Sequence, residues 1–239
     1  MLGLPGLHSW IAGLPEPVRA AVFAAATRRR LTAGEAVYTL GSKPEACYII
    51  ERGRVRIFNV SDSGREVTLG ELRGGDCVGE VGMIDGMPRF NTAVATEDSE
   101  LRVLARADFD RLYASHPEIA RELNRLLAYR VRFFYMHAEE SRALSLGQRL
   151  ARLLARTAYG VGIPQDNGEI LLETLSQEAL ANMLGGTRQA VSQEMKRLER
   201  AGLLRTSYGK VYVRDLAGLL QPVEDLIGAE AVVPTYPTE

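Results

Sequence analysis

From Glu118 to Leu146 the chain runs without a single glycine or proline. His116-Pro117 stands just before this stretch and Gly147 just after it. A residue that precedes proline is pushed out of the α region, so one helix ends at His116 and a new one starts beyond it. Ile119, Leu123, Leu126, Phe133 and Leu144 follow a spacing of three to four, and Leu127, Val131 and Phe134 make an adjacent stripe. This spacing predicts a helix of about seven to eight turns, longer than most helices of globular proteins. A wide apolar face on so long a helix often buries against a second copy of the chain, although Arg130 and His137 interrupt the seam; packing within one chain is the alternative. Gly147 is the expected hinge. The helix separates two regions of different texture.

On its N-terminal side, residues 15–26 read as a short amphipathic helix. From about 28 to 105, short runs such as AVYTL, CYIIE, RVRIFNV, EVTLGEL, TAVAT and ELRVL are rich in β-branched and aromatic residues, and turn-forming clusters separate them. That rhythm predicts a β sandwich or roll, with a hairpin turn at SDSG, residues 61–64. A short helix is expected over 106–114. Within the roll, GEVGMIDGMPRFN (residues 79–91) combines glycines with Glu80 and Arg89. Glycine lets backbone N–H groups approach an anion, arginine offers a fork for phosphate oxygens, and glutamate can accept hydrogens from ribose hydroxyls. The same glycines equally suit a tight turn with Arg89 on the surface, and both readings stand on these residues alone.

On the C-terminal side, a helix runs to about Tyr159, and GVGIPQDNG reads as a surface loop. Within SQEALANMLGGTRQAVSQEMKRLERA, residues 176–201, Ser176 caps a first helix with Leu180, Met183 and Leu184 inside. Gly185-Gly186 makes the turn. Thr187 caps a second helix with Ala190, Val191, Met195 and Leu198 inside. This is helix–turn–helix punctuation, a spacing that any αα-hairpin shares; two features favour the DNA reader, the outward face and the local charge. The outward face carries Arg188, Gln189, Ser192, Gln193, Lys196 and Arg197, types able to read base edges in a major groove. LLRTSYGKVYVRD follows as a β-hairpin wing, with Tyr208-Gly209 at the turn and Arg205 and Lys210 placed for phosphates. Residues 175–214 hold seven Lys/Arg against three Glu, within a chain of formal net charge −1. The charge for a nucleic-acid surface is therefore local.

Other classes are excluded by what is missing. Apolar residues make 46% and charged residues 25%, which excludes a disordered or collagen-like chain. The two cysteines, Cys47 and Cys77, sit in apolar strand contexts and read as buried free thiols; they form no zinc or iron–sulfur pattern. The longest apolar runs fall well short of about 20 residues, so no membrane span is expected and the chain reads as cytoplasmic. A cupin-like metalloenzyme would need histidine and carboxylate ligands inside the roll, and the strand-rich region holds no histidine. The chain reads as no enzyme.

A β-roll, a long central helix and a winged helix–turn–helix, in that order over about residues 15–220, resemble the cAMP receptor protein / fumarate–nitrate reduction regulator (Crp/Fnr) superfamily of transcription regulators. The most specific motifs are the stretch from Gly79-Glu80 to Pro88-Arg89, which resembles the phosphate-binding cassette of cyclic-nucleotide-binding domains, and TRQAVSQEMKRLERAGLL, residues 187–204. The resemblance implies an α+β chain: a cyclic-nucleotide-binding-type β-roll (double-stranded jelly roll) with flanking helices at 1–116, a central dimerisation helix at 117–145, a winged helix–turn–helix at 146–222, and a tail at 223–239. It implies a homodimer joined through the central helix, a palindromic operator in double-stranded DNA, and RNA polymerase as a partner. No cofactor is certain; a cyclic nucleotide (cAMP, cGMP or cyclic di-GMP) is the implied effector.

Residue by residue, the resemblance assigns the effector site to Gly79, Glu80, Arg89, Phe90, Asn91, Arg130, Phe134 and Tyr135. Arg130 matches a family arginine that pairs with the cassette glutamate. Phe90 departs from the small Ser or Ala that follows the arginine in cAMP binders. Phe134 and Tyr135 replace the small hydroxylated residues that cAMP receptor protein uses for the base. The anion half of the site is kept and the base half is changed, which leaves cAMP, another nucleotide, or an effector-free regulator with Phe90 and Phe134 filling the old pocket. The family's iron–sulfur sensors find no cysteine set here. Its haem sensors need an axial ligand, and His8, His116 and His137 all lie outside the strand-rich region. For DNA the assigned residues are Thr187, Arg188, Gln189, Ser192, Gln193, Lys196, Arg197 and Lys210. Arg188 matches the arginine that reads a guanine, whereas Gln189 and Gln193 stand where cAMP receptor protein has Glu and Arg. The implied half-site keeps the guanine and departs from TGTGA at the bases read by the two glutamines.

Overall fold

A computed structural model describes residues 8–61, 64, 66–172, 176–207 and 210–227. Contacts divide the chain into two units, one running to Arg130 and the other from Val131.

The first unit opens with α1 (Glu16–Ala25), whose first turn holds Pro17, a residue already fixed at a helical φ. Among the described residues eight strands follow: β1 (Thr27–Leu31), β2 (Ala36–Tyr38), β3 (Ala46–Arg52), β4 (Arg54–Val60), β5 (Glu66–Arg73), β6 (Cys77–Val78), β7 (Thr92–Ala95) and β8 (Ser99–Ala105). They form two antiparallel sheets, ordered β1-β8-β3-β6 and β2-β7-β4-β5. Leu31, Val37, Tyr48, Ile50, Val55, Leu72 and Leu101 fill one core. The first sheet is covered on its other face as well. There Cys47, Ile49, Cys77 and Leu104 join Trp10, Val18, Val22, Phe109, Ile119, Leu123 and Leu126 in a second core. Burial on both faces is why β3 reads ACYII without alternation. The two cysteines are buried free thiols, and burial pushes Cys77 up to about 12.

Between β6 and β7 lies α2 (Glu80–Asp85), and after β8 comes α3 (Arg106–Ser115). His116 ends α3 in an extended conformation before Pro117. Then α4 (Pro117–Ala143) runs for 27 residues. Its first half is part of the core just described. Its later apolar residues Val131 and Phe134 are exposed. The SDSG turn falls partly outside the described residues.

The second unit continues with α5 (Leu146–Val161), α6 (Gln177–Leu184), α7 (Arg188–Arg200) and α8 (Leu216–Ile227). A four-stranded sheet, ordered β11-β12-β10-β9, joins β9 (Ile163–Pro164), β10 (Ile170–Leu172), β11 (Leu204–Ser207) and β12 (Lys210–Val213). Leu150, Leu154, Leu172, Leu180, Val191, Met195, Leu204, Val211 and Leu219 make its core. Ser176 and Thr187 cap α6 and α7 as their types predict, accepting from Ala179 N at 3.0 Å and Ala190 N at 3.1 Å.

Three expectations need correction here. GVGIPQDNG is not a bare loop: it holds β9 and the turn into β10, because Ile163 and Pro164 pair with Leu171 and Ile170. Residues 223–227 of the tail expected from 223 belong to α8, where Val223 is buried, and the rest of it lies outside the described residues. Gly147 is not the break between the central helix and the next. That break is Leu144-Ser145, where Ser145 and Gln148 form a reciprocal capping box and Gly147 lies inside α5. Ser145→Ala should therefore cost the second unit about 1 kcal/mol, read from the urea midpoint of the full chain; a variant as stable as the parent would show the cap to be idle.

Candidate effector and DNA sites

Gly79 has φ +87°, where glycine is at ease. A Cβ there would also lie 2.8 Å from Arg89 Nη1, so the position is closed to a side chain twice over. This left-handed step starts α2 and turns Glu80 inward, where it is 1% exposed. Arg130, from the first half of α4, donates Nη1 to Glu80 Oε1. Glu80 Oε2 is buried without a hydrogen-bond partner.

Arg89 is not the surface residue of a simple turn: it is 5% exposed. Its backbone N–H donates to Ser42 O at 2.9 Å, and its carbonyl accepts from Gly41 N at 2.7 Å. Its guanidinium donates to the carbonyls of Gly79 and Ala46 and lies 4.4 Å from the centre of the Tyr38 ring. Arg89 Nε is buried and unpartnered. Among the described residues no carboxylate forms an ion pair with it. The partners of this buried guanidinium among the described residues are backbone dipoles and a π-face.

Asn91 is also buried, and its Oδ1 accepts from Tyr38 Oη at 2.9 Å. Tyr38 stacks on Tyr48, with centroids 6.0 Å apart. Burial first, then the Glu80 charge, holds the Tyr38 phenol above its ordinary range, so it stays a neutral donor. Gly79, Glu80, Arg89, Asn91 and Arg130 are thus brought together. Phe90 is not with them: it is 58% exposed and fills no pocket. Phe134 and Tyr135 belong to the second unit and are exposed at 61% and 74%. Tyr38 and Tyr48 escaped the sequence reading. The Tyr38–Asn91 contact spans 53 positions and arises from β2–β7 pairing, which no local motif encodes. His8 was likewise placed outside the roll, yet it is buried beside β6, accepting from Cys77 N at 2.6 Å through its carbonyl. Burial, then Arg130 and Arg73, lower its pKa to about 3, so it is neutral.

On α7, Arg188, Gln189, Gln193, Lys196 and Arg197 are exposed and Ser192 is half-buried, while Val191 and Met195 face the core. Arg197 lies 3.6 Å from Glu194. Lys210 opens β12, and the Tyr208-Gly209 turn is outside the described residues. Arg205, expected to reach phosphates, is otherwise engaged. It donates to Glu169 through Nε at 2.9 Å and Nη2 at 2.6 Å and lies 3.6 Å over the Tyr212 ring. Arg214 Nε also donates to Glu169, at 3.0 Å.

The sequence profile of the cyclic nucleotide-binding domain matches residues 28–116, and that of the Crp-like helix-turn-helix domain matches residues 148–221. A roll of the first kind leading into a reader of the second defines a DNA-binding transcription regulator. The chain belongs to the Crp/Fnr family of transcription regulators. It is 32% identical over 197 residues to the Cyclic AMP receptor protein of Thermus thermophilus, covering 82% of this chain and 87% of that protein. A solved Crp/Fnr-family regulator from the same organism superposes with a TM-score of 0.65 at 26% identity, over 83% of this chain and 98% of that one. The c-di-GMP responsive regulator CLP of Xanthomonas campestris shares the fold, with a TM-score of 0.72 at 22% identity, over 83% of this chain and 99% of that one. Among the described residues no helix is long and apolar enough to cross a membrane.

The Glu169 cluster makes a pH prediction. Hydrogen bonds from Arg205 foremost lower the Glu169 pKa from 4.5 to about 2. A lowered carboxylate stabilises the folded state in full above its unfolded value and loses that contribution as pH falls through the folded one. The stability gap between the parent and Glu169→Gln should be constant above pH 4.5 and shrink from there toward about 2, measured as melting temperature against pH. A gap that does not change with acid would remove Glu169 as the titrating group.

Proposed function

We propose that the chain is a homodimeric, sequence-specific regulator whose operator affinity is set by a cyclic nucleotide held at Gly79, Glu80, Arg89, Asn91 and Arg130. The observation that carries this reading is the buried Arg89, unpaired with any described carboxylate and set beside the buried Glu80–Arg130 pair. Arg89 takes the phosphate. The unpartnered Glu80 Oε2 is available to a ribose hydroxyl. Tyr38 and Asn91 add a hydroxyl and an amide at the same place. The kinship with a cyclic AMP receptor protein favours a cyclic nucleotide, and the altered base side keeps cAMP, cGMP and cyclic di-GMP as the panel to test. The exposed apolar face of α4, with Val131 and Phe134, supports a homodimer through that helix.

In this reading α7 enters the major groove, with Arg188 on a guanine and Gln189, Ser192, Gln193, Lys196 and Arg197 on neighbouring bases and phosphates. Thr187 starts the helix and Lys210 reaches the backbone from the wing. The dimer binds a palindromic operator in the cytoplasm, meets RNA polymerase there, and catalyses no reaction. A second reading, a regulator with no effector, rests on a specific observation: backbone carbonyls and Tyr38 already hold the Arg89 guanidinium.

A ligand that binds only the folded form raises its stability by mass action, about 2.7 kcal/mol at a hundredfold excess over Kd. One member of the panel should raise the melting temperature of the parent and leave Arg89→Ala unmoved; no shift with any of the three favours the effector-free reading. For DNA, Arg188→Ala should cost about 1–3 kcal/mol on the specific site and relax the preference at one base pair. Unchanged operator affinity would remove Arg188 as a base reader.

A further inference from the structure

The two-residue break between α4 and α5 is bridged by side chains on both sides of it. Glu140, on the last turns of α4, is 2% exposed. Arg156 of α5 grips both its oxygens, with Nη1 at 3.1 Å from Oε2 and Nη2 on Oε1. Arg152, one turn earlier on the same face of α5, lies 3.1 Å from Oε1 through Nε. Phe133 backs the cluster, 6.0 Å from the Arg156 guanidinium and stacked on His137. Arg149 makes a second bridge. It donates Nη1 to Ser141 O on α4 at 3.3 Å and Nη2 to Leu184 O, the last residue of α6, at 3.5 Å. The recognition helix rests on the same first turn of α5. A Cβ at Gly147 would stand 2.9 Å from the Glu194 carboxyl carbon, and one at Gly186, in the turn before α7, would lie 3.3 Å from Leu146.

We propose that Glu140 is a positioning residue for DNA reading: it fixes the angle at which the reading helices leave the end of α4, and hence the half-site spacing that a dimer accepts. This rests on the homodimer reading above. Apolar residues of equal volume could hold such a joint as firmly as a buried ion pair. A carboxylate gripped by a two-pronged guanidinium adds a set direction to that hold. Recognition helices of a dimer read half-sites about one helical turn apart, so an orientation fixed at Ser145 becomes a spacing preference on DNA.

The test measures affinity of the full chain for palindromes whose central spacer is one or two base pairs shorter or longer than the optimum. Sedimentation and melting are recorded on the same samples. The parent should prefer one spacer by about tenfold or more, within the range of ordinary coupling energies, and both Glu140→Gln and Arg156→Lys should reduce that ratio to below about threefold. Arg156→Lys keeps the charge and loses the fork, so it carries the test alone if Glu140→Gln does not fold. The guanine preference assigned to Arg188 should be unchanged in both. A merely structural fault would weaken all spacers alike. Folded dimeric variants that keep the full spacer ratio overturn the proposal alone, as does a dimeric parent with no spacer preference. A monomeric parent overturns the dimer reading, and this inference with it.

Discussion

The buried pair of Glu80 and Arg130 is the constraint on which the first unit turns. A carboxylate taken out of water needs a partner, and removing one partner of such a pair costs about 3–5 kcal/mol. Glu80 receives its partner from a helix that starts 37 positions further along the chain, at Pro117. The pair therefore registers α2 against the first half of α4. Gly79 supplies the left-handed step that turns Glu80 inward, and its missing side chain leaves room for Arg89. Arg89 in turn ties the segment before β7 to the loop before β3 through Ser42 and Gly41. Cassette, sheet and helix are thus joined by charge and backbone geometry at one point.

In the second unit the division of charge is different. Of the basic residues that give residues 175–214 their excess, Arg205 and Arg214 are balanced by Glu169. The cations that remain outward on α7 are Arg188, Lys196, Arg197 and Arg200, of which Arg197 lies beside Glu194. The field that would draw DNA is concentrated on the recognition helix rather than spread over the wing. The wing arginine serves the sheet, where it covers Tyr212 and closes on the residue before β10.

Features held by local chemistry were legible in the chain. The long helix follows from its apolar spacing and from Pro117. The helix–turn–helix follows from Ser176, Gly185 and Thr187, whose side chains and backbone act within three or four positions. The roll follows from strand rhythm, and the cassette from its glycines. What escaped depends on distant partners. Tyr38 meets Asn91 only through strand pairing, His8 is buried by a sheet it precedes by many residues, and Glu140 finds Arg152 and Arg156 only once two helices fold back. Two further signals are local. Ser145-x-x-Gln148 is a capping signature that outranks Gly147 as a helix boundary, and Asn167-Gly168 between Ile163-Pro164 and Ile170-Leu171 is a hairpin signal.

In the reading proposed above, an effector in the first unit is tied to DNA read by the second. Such coupling is reciprocal: whatever factor the effector lends to operator affinity, the operator must lend to effector affinity. The decisive measurement is a pair of titrations on the full chain, operator affinity with and without saturating cyclic nucleotide and nucleotide affinity with and without operator. The account predicts one common factor, on the order of 5–150, lost in Arg89→Ala. A nucleotide that binds at Arg89 and leaves operator affinity unmoved would contradict it.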